Sequence, residues 1–337
     1  MRLALACNRS DRYRLADHRP DDLYEEFDAP ETIDAIAEAI AAHGHTVDPI
    51  EADRTFPAVL ERGKYDFVFN IAEGLTGRCR ESQVPAVCEM LGVSYSGSDA
   101  ITLGITLDKD LAKRVLKGRV RTAAGRLFIH PDRIDLSGMP FPLLAKPNAE
   151  GSSKGIRNRS RLTDPITAPS DIAEMIRMYE GPVLVEEFLP GVECTVGVLG
   201  NEHPEILGIM EIAPRHTPLG EFVYSLEAKR DYKNQIDYHS PPRFSENTRK
   251  AVEQVATEAF IALGCRDFAR IDFRFAADGE PCFIEANPLP GLSPIKSDLV
   301  LLCRGMDITY HDLIGRILQQ AFRRTGLAIS GSRVGVS

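Results

Sequence analysis

Four residues near the C-terminus have side chains suited to binding a divalent cation and stabilising negative charge. Arg270 and Asp272 lie on one short segment, and Glu285 and Asn287 lie on the next. If both segments are strands, residues two positions apart share a face. Two opposed carboxylates repel each other, and hard Mg²⁺ prefers carboxylate and amide oxygens, usually together with phosphates. A magnesium site fits this pattern, and so does an exposed hairpin face on which Arg270 offsets the charge.

The residues between the two segments predict how the strands pair. Asp278-Gly279 is a strong signal for a hairpin with a two-residue type I′ turn. Pro288-Leu-Pro290-Gly291 ends the second strand and leaves backbone N–H groups free near its polar face. The turn sets the cross-strand pairs, which are Asp272 with Glu285 and Arg270 with Asn287 on the polar face, and Ile271 with Ala286, Phe273 with Ile284 and Phe275 with Cys282 on an apolar face.

A second segment has the composition of a phosphate-binding loop. Glu150-Gly-Ser-Ser-Lys-Gly155 follows a predicted strand that ends at Lys146-Pro147. Small residues let backbone N–H groups and hydroxyls approach phosphate oxygens, and Lys146 can reach the same phosphates as a point charge. The order differs from the G-x-x-x-x-G-K-[ST] loop, and the segment taken alone also fits a flexible surface turn.

The bulk composition limits the possible classes of protein. A length of 337 residues predicts two or three subdomains, and 43% hydrophobic with 26% charged residues is typical of soluble globular proteins. The net charge of −9 gives no general attraction to nucleic acid or membranes. Seven cysteines without C-x-x-C spacing indicate a reducing compartment and no zinc site. We therefore expect a cytoplasmic protein without nucleic-acid or membrane partners.

The elements that must position these residues follow from hydrophobic periodicity. Alternating strands and helices predict a mostly parallel α/β domain over about the first hundred residues. Within it, Asp28-Ala-Pro-Glu31 predicts a capping box at a helix start. The residues 213–243 predict a long functional loop. Further predicted elements are strands over 2–7, 46–50, 65–69, 93–95, 142–147 and 183–187, helices over 82–91, 107–116, 170–179, 244–263 and 310–322, and a hairpin over 191–212 turning at Gly200-Asn201.

Taken together, the motifs resemble the ATP-grasp superfamily and, within it, the D-alanine–D-alanine ligases. They keep the family's order and approximate spacing over residues 65–320. The matching segments are Leu107-Asp-Lys109-Asp-Leu-Ala-Lys113, Lys146-Pro147, Glu150-Gly-Ser-Ser-Lys-Gly155, Val183-Leu-Val-Glu-Glu-Phe-Leu-Pro-Gly191-Val-Glu193, Glu227-Ala-Lys229, Ala269-Arg-Ile-Asp272-Phe and Glu285-Ala-Asn287-Pro-Leu-Pro-Gly291.

The resemblance implies an α/β (α+β) ATP-grasp fold in which ATP lies between the last two of three units. These would be an N-terminal parallel α/β domain over 1–104, a central lid subdomain over 105–190 and a C-terminal antiparallel-sheet catalytic subdomain over 191–328. A flexible tail would follow over 329–337. The resemblance also implies a homodimer.

The resemblance assigns a nucleotide and metal site. Phosphates would be held by Lys109, Lys146, Ser152, Ser153 and Lys229, adenine by the hinge of Glu186, Glu187, Phe188 and Leu189, and ribose by Glu193. For Lys109 and Glu193, an ordinary surface position is the alternative. Asp272, Glu285 and Asn287 would bind two Mg²⁺ ions, or Mn²⁺ in their place, with Glu285 bridging.

The implied reaction joins a small-molecule carboxylate to an amino acid. ATP phosphorylates the carboxylate, an amine attacks the acyl phosphate, and phosphate leaves. Arg270 and the Gly291 N–H would stabilise the developing charge, with Lys229 and Ser152 also in catalytic positions. The alternatives are a ligase for a non-alanine carboxylate in a specialised pathway, and a non-ligating ATP-binding or phosphotransfer protein.

Departures from the family pattern cluster in substrate-facing segments. The family's ammonium-binding glutamate after the first strand has three candidates here, Glu26, Asp28 and Glu31. Glu73 replaces a histidine, and Arg230 follows Lys229 where an aromatic residue is usual. The candidate substrate residues are Glu73, Arg78, Arg80, Tyr224 and Ser297. Arg78 and Arg80 would bind an anionic group, or alternatively are solvated charges paired with Glu81.

Overall fold

The computed structural model describes residues 1–13 and 20–327, and the predicted tail over 329–337 lies outside these ranges. The strands are β1 (Arg2–Cys7), β2 (Thr46–Glu51), β3 (Phe67–Asn70), β4 (Ser94–Tyr95), β5 (Gly125–Phe128), β6 (Leu143–Pro147), β7 (Arg161–Leu162), β8 (Val183–Glu187), β9 (Glu193–Gly200), β10 (Glu205–Pro214), β11 (Ile236–His239), β12 (Asp267–Phe275) and β13 (Pro281–Asn287). The helices are α1 (Pro30–Ala42), α2 (Phe56–Gly63), α3 (Gln83–Leu91), α4 (Ala100–Leu107), α5 (Lys109–Leu116), α6 (Ala168–Tyr179), α7 (Leu226–Arg230), α8 (Tyr232–Gln235), α9 (Glu246–Leu263), α10 (Asp298–Gly305) and α11 (Tyr310–Thr325).

Three sheets follow one another along the chain. The first is parallel with the order β2-β1-β3-β4, the second is antiparallel with the order β5-β8-β6-β7, and the third is antiparallel with the order β11-β10-β9-β12-β13. This succession confirms the predicted fold class, an N-terminal parallel α/β part and a C-terminal antiparallel sheet, and it adds that the central sheet is also antiparallel. The subdomain boundaries given above stay predictions.

The last helix of the chain covers the first sheet. Leu3, Leu5 and Phe67 are buried with Leu318 and Phe322 of α11 in one core, because α11 is strongly amphipathic and needs an apolar surface. The Phe322 ring packs edge-on against Phe67, with centroids 5.0 Å apart. The residues that close the N-terminal core therefore come from the far end of the sequence.

An ion pair to a fully buried aspartate fixes α11 to the third sheet. Asp267, at the start of β12, is fully buried and has a left-handed backbone with φ of 62°. Its carboxylate accepts hydrogen bonds from Arg324 at 2.7 Å and from the Gly97 N–H at 2.8 Å. Asp267 thus ties together the first sheet, the third sheet and the last helix.

Helix α9 supports the hairpin of β12 and β13 from behind. Ser245 caps its start by accepting from the Thr248 N–H, and Gly264 ends it in the left-handed conformation. Phe260 packs in one core with Ile271 and Phe273 of β12. The apolar side of the hairpin is therefore buried, and its polar side is free to line a site.

Several predicted boundaries need correction. The loop predicted over 213–243 contains α7, α8 and the edge strand β11. The capping box is wrong, because Ala29 precedes α1 without a side-chain cap and Pro30 begins the helix. Helices α2, α4 and α10 were not predicted; in α4 the β-branched residues obscure the helical signal, although Asp99 caps its start at Thr102. No helix in the described ranges is long and apolar enough to cross a membrane.

Candidate active site

The hairpin of β12 and β13 has the predicted register on its polar face but a different turn. Asp272 faces Glu285, and Arg270 faces Asn287. The Ala276 N–H donates to the Glu280 carbonyl at 2.9 Å, which makes a three-residue turn instead of the predicted two. Gly279 holds its left-handed position with φ of 85°. The longer turn shifts the neighbouring pairs by one residue, so Phe275 faces Pro281 and not Cys282.

A β-bulge after Asp272 restores the register. Phe273 faces Phe283 and not Ile284, as the two-residue turn predicted. The extra residue is Ile284, which lines the larger of two cavities beside the hairpin. Bulges re-aim side chains and often lie next to active sites. The pairing of Asp272 with Glu285 is thus correct because two one-residue shifts cancel.

The polar face of the hairpin concentrates charge. Asp272 accepts hydrogen bonds from Thr195 at 2.6 Å and Arg270 at 2.8 Å. Glu285 lies 3.2 Å from Lys109. Burial alone would raise the pKa of Glu285, but Lys109 and Arg270 hold it down at about 2, so the carboxylate is ionised at neutral pH.

The donor set of this face suits magnesium bound together with phosphate. The Asn287 amide lies 3.2 Å from Asp272, so two carboxylates and one amide converge. No cluster of three or more His, Cys, Asp or Glu side chains that could hold a metal occurs in residues 1–13 and 20–327. Two carboxylates and an amide fit Mg²⁺ that takes its remaining ligands from phosphates and water.

The larger cavity, hereafter the nucleotide cavity, lies between the second and third sheets. It brings together most of the predicted ATP-binding residues and both hairpin carboxylates. These are Lys146, Ser153, Glu186, Glu187, Phe188, Leu189, Glu193, Lys229, Asp272 and Glu285. Lys109 and Ser152 line the second cavity described below.

Two lysines share one glutamate on the floor of the nucleotide cavity. Lys146 lies 2.6 Å from Glu186, which also pairs with Lys113 of α5. All three side chains are buried. Burial lowers the pKa of Lys113 to about 8 against the opposing effect of Glu186. Lys113 was not predicted as a site residue, although it shares a helix face with Lys109 four positions earlier.

The hinge after β8 presents one free backbone donor. The Glu187 N–H donates to the Ala124 carbonyl at 2.9 Å, and the Phe188 N–H donates to the Pro142 carbonyl at 3.0 Å. The Leu189 N–H has no partner among the residues that the structure describes. Of the N–H groups of Glu187, Phe188 and Leu189, only that of Leu189 is available to a ligand in the described part of the chain.

The Glu193 side chain is only 12% exposed, so it is largely enclosed and is not an ordinary surface glutamate. Arg274 lies 3.2 Å from it and also donates to the carbonyls of Leu189 at 2.6 Å and Phe222 at 2.8 Å. Burial raises the pKa of Glu193, with Arg274 opposing the shift. Sequence reasoning missed Arg274, but its position four residues after Arg270 on the same strand face was a usable signal.

The two serines of the glycine-serine loop serve different cavities. Ser152 and Ser153 both have left-handed backbones, with φ of 50° and 60°. Non-glycine residues in that region are uncommon and are often found at functional sites. Ser153 donates to the Tyr224 carbonyl at 3.0 Å, whereas Ser152 lines the second cavity beside Gly291.

Lys229, predicted to bind phosphate, lies on a short helix. Lys229 of α7 is 3.9 Å from Asp298 and 4.6 Å from the ring centre of Tyr224. The Tyr224 hydroxyl donates to Asp298 at 3.0 Å. Tyr224, predicted as a substrate residue, therefore lines the nucleotide cavity with Lys229. Burial raises the pKa of Tyr224, and Asp298 adds to the shift.

The second cavity, hereafter the acidic cavity, adjoins the first at Glu285. It is lined by the predicted residues Glu73, Lys109, Ser152, Arg270, Glu285, Asn287 and Gly291, together with Glu26, Glu81 and Glu150. Arg80 is buried behind it, where it donates to Glu26 at 3.0 Å and to the Ala149 carbonyl at 2.8 Å. Arg80 is therefore neither a solvated charge nor free to bind an anionic substrate.

Two other predicted substrate residues lie outside both cavities. The Arg78 side chain is 74% exposed and pairs with Asp108 at 2.9 Å. Ser297 precedes α10, and its hydroxyl accepts from the Ser293 N–H at 2.9 Å. Ser297 remains close to the acidic cavity, because a Cβ atom at Gly291 would lie 2.9 Å from its oxygen.

Comparisons with known proteins agree on one family. The family model described as "D-ala D-ala ligase C-terminus" matches residues 134–319. The D-alanine–D-alanine ligase of Anaeromyxobacter sp. is 32% identical, with 85% of this chain and 90% of that protein covered. The uncharacterized protein y4sG of Sinorhizobium fredii is 30% identical, with coverages of 86% and 87%. The crystal structure of the Bacillus anthracis D-alanine–D-alanine ligase complexed with ATP superposes with a TM-score of 0.74 at 20% identity, over 97% of this chain and 99% of that one, which establishes the shared fold.

Proposed function

Since the chain belongs to the D-alanine–D-alanine ligase family, whose members are ATP-dependent, ADP-forming C–N ligases, we propose that its two cavities hold ATP and a carboxylate substrate side by side. The observation that carries this proposal is that Glu285 lines both cavities. A nucleotide whose phosphates lie near Glu285 would present its γ-phosphate to a carboxylate in the acidic cavity. Positioning of this kind supplies much of the rate of phosphoryl transfer.

The nucleotide cavity supplies groups suited to each part of ATP. The Leu189 N–H, which is unpaired within the described ranges, is available to adenine, and the largely enclosed Glu193 is available to the ribose hydroxyls. Lys146 and Lys229 would bind phosphate oxygens, with Ser153 beside them. Members of the family use Mg²⁺ with ATP, and Asp272, Glu285 and Asn287 are the residues that would hold two ions, or Mn²⁺ in their place. Bound there, the metal supplies neutralisation of phosphate charge.

The acidic cavity supplies the groups for the acyl step. Arg270, Ser152 and the Gly291 N–H line it together, and the Gly291 N–H has no backbone partner in the described ranges. These groups would bind the substrate carboxylate and stabilise the oxyanion that forms when the amine attacks. Asp272 holds Arg270 in place through a hydrogen bond of 2.8 Å.

The amide product is proposed to be a dipeptide or a peptide-like molecule. The names of the relatives favour D-alanine on both sides of the bond. Glu26 is a candidate for the family's ammonium-binding glutamate, but here it is paired with the buried Arg80. This departure in the substrate region favours a second candidate, a ligase that joins an amino acid to a different carboxylate. The seven free cysteines suit the reducing cytoplasm, and the homodimer stays a prediction.

Release of ADP with defined substrates tests this function. The purified protein would be incubated with ATP, Mg²⁺ and amino acids singly and in pairs, including D-alanine, with mass spectrometry of the products. We expect ADP release that depends on an amine and equals the amide formed. Turnover that continues unchanged when every amine is omitted would contradict the ligase assignment.

A further inference from the structure

The acidic cavity contains more negative charge than its own cations balance. Four carboxylates line it away from the hairpin, namely Glu26, Glu73, Glu81 and Glu150. The hairpin carboxylate Glu285 is paired with Lys109, and Arg270 is paired with Asp272. Among the described residues the remaining cations are Arg80 and Lys154, which leaves two of the four carboxylates there without a cation of their own.

The Glu26 carboxylate is paired with both of these cations. One of its oxygens accepts from the Gly151 N–H at 2.7 Å, and the other accepts from Arg80 and Lys154 at 3.0 Å each. Burial would raise the pKa of Glu26, but Arg80 and Lys154 hold it down at about 2. Lys154 also pairs with Glu150 at 2.5 Å. Both Glu26 oxygens therefore have partners within the protein, and Glu26 is not free to bind a substrate ammonium.

Glu73 and Glu81 are the carboxylates left for a ligand. Glu81 is only 8% exposed, lines the cavity and makes no hydrogen bond within the described ranges. Its nearest cation, Arg80, is 3.9 Å away and already bonded to Glu26. Glu73 has neither a hydrogen bond nor an ion pair among the described residues. Burial raises the pKa of Glu73 and of Glu81, the latter to about 7, with Glu26 adding repulsion.

These two carboxylates share a cavity with the groups of the acyl step. Arg270 and Gly291, which would bind the substrate carboxylate, line the same cavity as Glu73 and Glu81. A cation bound at Glu73 and Glu81 would therefore belong to the same substrate molecule. A buried carboxylate without a partner is costly, whereas one paired with a hydrogen-bonded cation is not. One α-ammonium group would satisfy one of the two carboxylates and leave the other unpaired.

We propose that Glu73 and Glu81 form a cation subsite that selects, as the carboxylate substrate, an α-amino acid with a second positive charge on its side chain. This inference rests on the proposed function, since it names the substrate of the same site. The α-ammonium and the side-chain cation would each meet one carboxylate. A neutral amino acid such as alanine would leave one of them without a countercharge.

Lysine and norleucine are a matched pair of probes, because they differ only in the terminal amine. Calorimetric binding of each, in both enantiomers, would be measured with enzyme loaded with Mg²⁺ and a non-hydrolysable ATP analogue. We expect lysine of the accepted hand to bind at least about tenfold more tightly than norleucine, because the difference is one buried ion pair. Equal binding of the two, or binding of neither, would overturn the subsite.

Variants locate the preference within the cavity. Glu73→Gln and Glu81→Gln should each reduce the preference for lysine to about threefold or less while binding of the ATP analogue persists, which also shows that the variant is folded. Glu205→Gln, at an exposed end of β10, is the control and should keep the full preference. A preference that survives in both site variants would contradict the assignment.

Turnover separates this inference from the proposed function. If lysine binds preferentially but no amine-dependent ADP release occurs with any partner, the subsite stands and the ligase function fails. If ADP release is as efficient with alanine or norleucine as with lysine, the ligase function stands and the subsite is wrong.

Discussion

Arg230 donates to Asp21 at 2.7 Å across 209 positions of sequence. Arg230 also pairs with Glu25 at 2.7 Å, so two ion pairs join the segment after β1 to the helix that carries Lys229. The same segment holds the glycine-serine loop through Glu26 and the Gly151 N–H at 2.7 Å. The N-terminal segment therefore bridges the glycine-serine loop and helix α7, and Arg230 supplies an ionic latch between α7 and this segment.

Loss of this latch should slow turnover more than it affects stability. Arg230→Gln removes both ion pairs, and we expect kcat for ADP release to fall about three- to tenfold, since a surface ion-pair network contributes about 1 kcal/mol. Arg249→Gln is a matched control, because Arg249 is 43% exposed against 41% for Arg230 and, among the residues that the structure describes, pairs only within α9. Equal kcat values for the two variants would contradict the latch. The wild-type rate should also fall with added salt more steeply than that of Arg230→Gln.

Glu285→Gln should abolish turnover without unfolding the protein. Glu285 lines both cavities and would bridge the metal ions, so loss of its charge should lower kcat by about a hundredfold or more. Steady-state ADP release and thermal unfolding would be measured on the same preparations. Glu280→Gln, at the exposed turn of the same hairpin, is the control and should keep wild-type activity. Near-normal activity of Glu285→Gln would remove the bridging role.

Glu81→Gln should stabilise the free enzyme at alkaline pH. The pKa of Glu81 is raised from 4.5 to about 7 by burial, so the folded state binds this proton more tightly than the unfolded state. Stability is then highest below the unfolded pKa and declines as pH rises through the folded value. At about pH 8 the variant should unfold with a free energy about 1–3 kcal/mol higher than wild type, and the gain should shrink towards about pH 5. Urea unfolding at both values measures this.

Glu26→Gln should have the opposite effect and is the comparison for this experiment. Its carboxylate has a lowered pKa, so its stabilising contribution is present above the unfolded pKa and is lost as pH falls through the folded value of about 2. The variant leaves Arg80 and Lys154 buried with fewer countercharges, and it should be less stable than wild type at about pH 8. A stabilised Glu26→Gln variant would contradict this electrostatic account of the cavity.

Asp267→Asn should destabilise the packing of the last helix. The substitution keeps a residue type that tolerates the left-handed backbone but leaves Arg324, whose side chain is 18% exposed, without its carboxylate. We expect a loss of about 3–5 kcal/mol in the free energy of unfolding. Asp278→Asn is the control, because the exposed pair of Asp278 and Arg121 at 2.7 Å should contribute less than about 1 kcal/mol. Similar losses in the two variants would rule out the anchor.

The polar face of the hairpin could be predicted from the sequence, but its turn and its bulge could not. The alternation of Arg270, Asp272, Glu285 and Asn287 was sufficient to predict one polar face, because the strand period of two is a local property. The turn prediction was wrong by one residue, and the bulge at Ile284 corrected it. Neither shift could be read from the turn residues, since a bulge depends on what the strands pack against.

The ion pairs of the substrate region could not be predicted from the sequence. The sequence alone made Arg78 and Arg80 equivalent candidates for binding an anion. The structure exposes Arg78 and buries Arg80 against Glu26, a residue far away in the chain. Which charges neutralise each other depends on contacts over long sequence separations, and local periodicity holds no information about those contacts.

The sequence by itself determined the family, the parallel N-terminal and antiparallel C-terminal sheets, and most of the residues that meet in the nucleotide cavity. It did so because these features follow from local patterns and from motifs in a fixed order. The tertiary structure alone decided that α11 covers the first sheet, that Lys113 and Arg274 support the site, and that the Glu73 and Glu81 carboxylates line the acidic cavity without a hydrogen bond in the described ranges. Burial and ion pairing are properties of the folded surroundings, so they become visible only when distant segments are brought together.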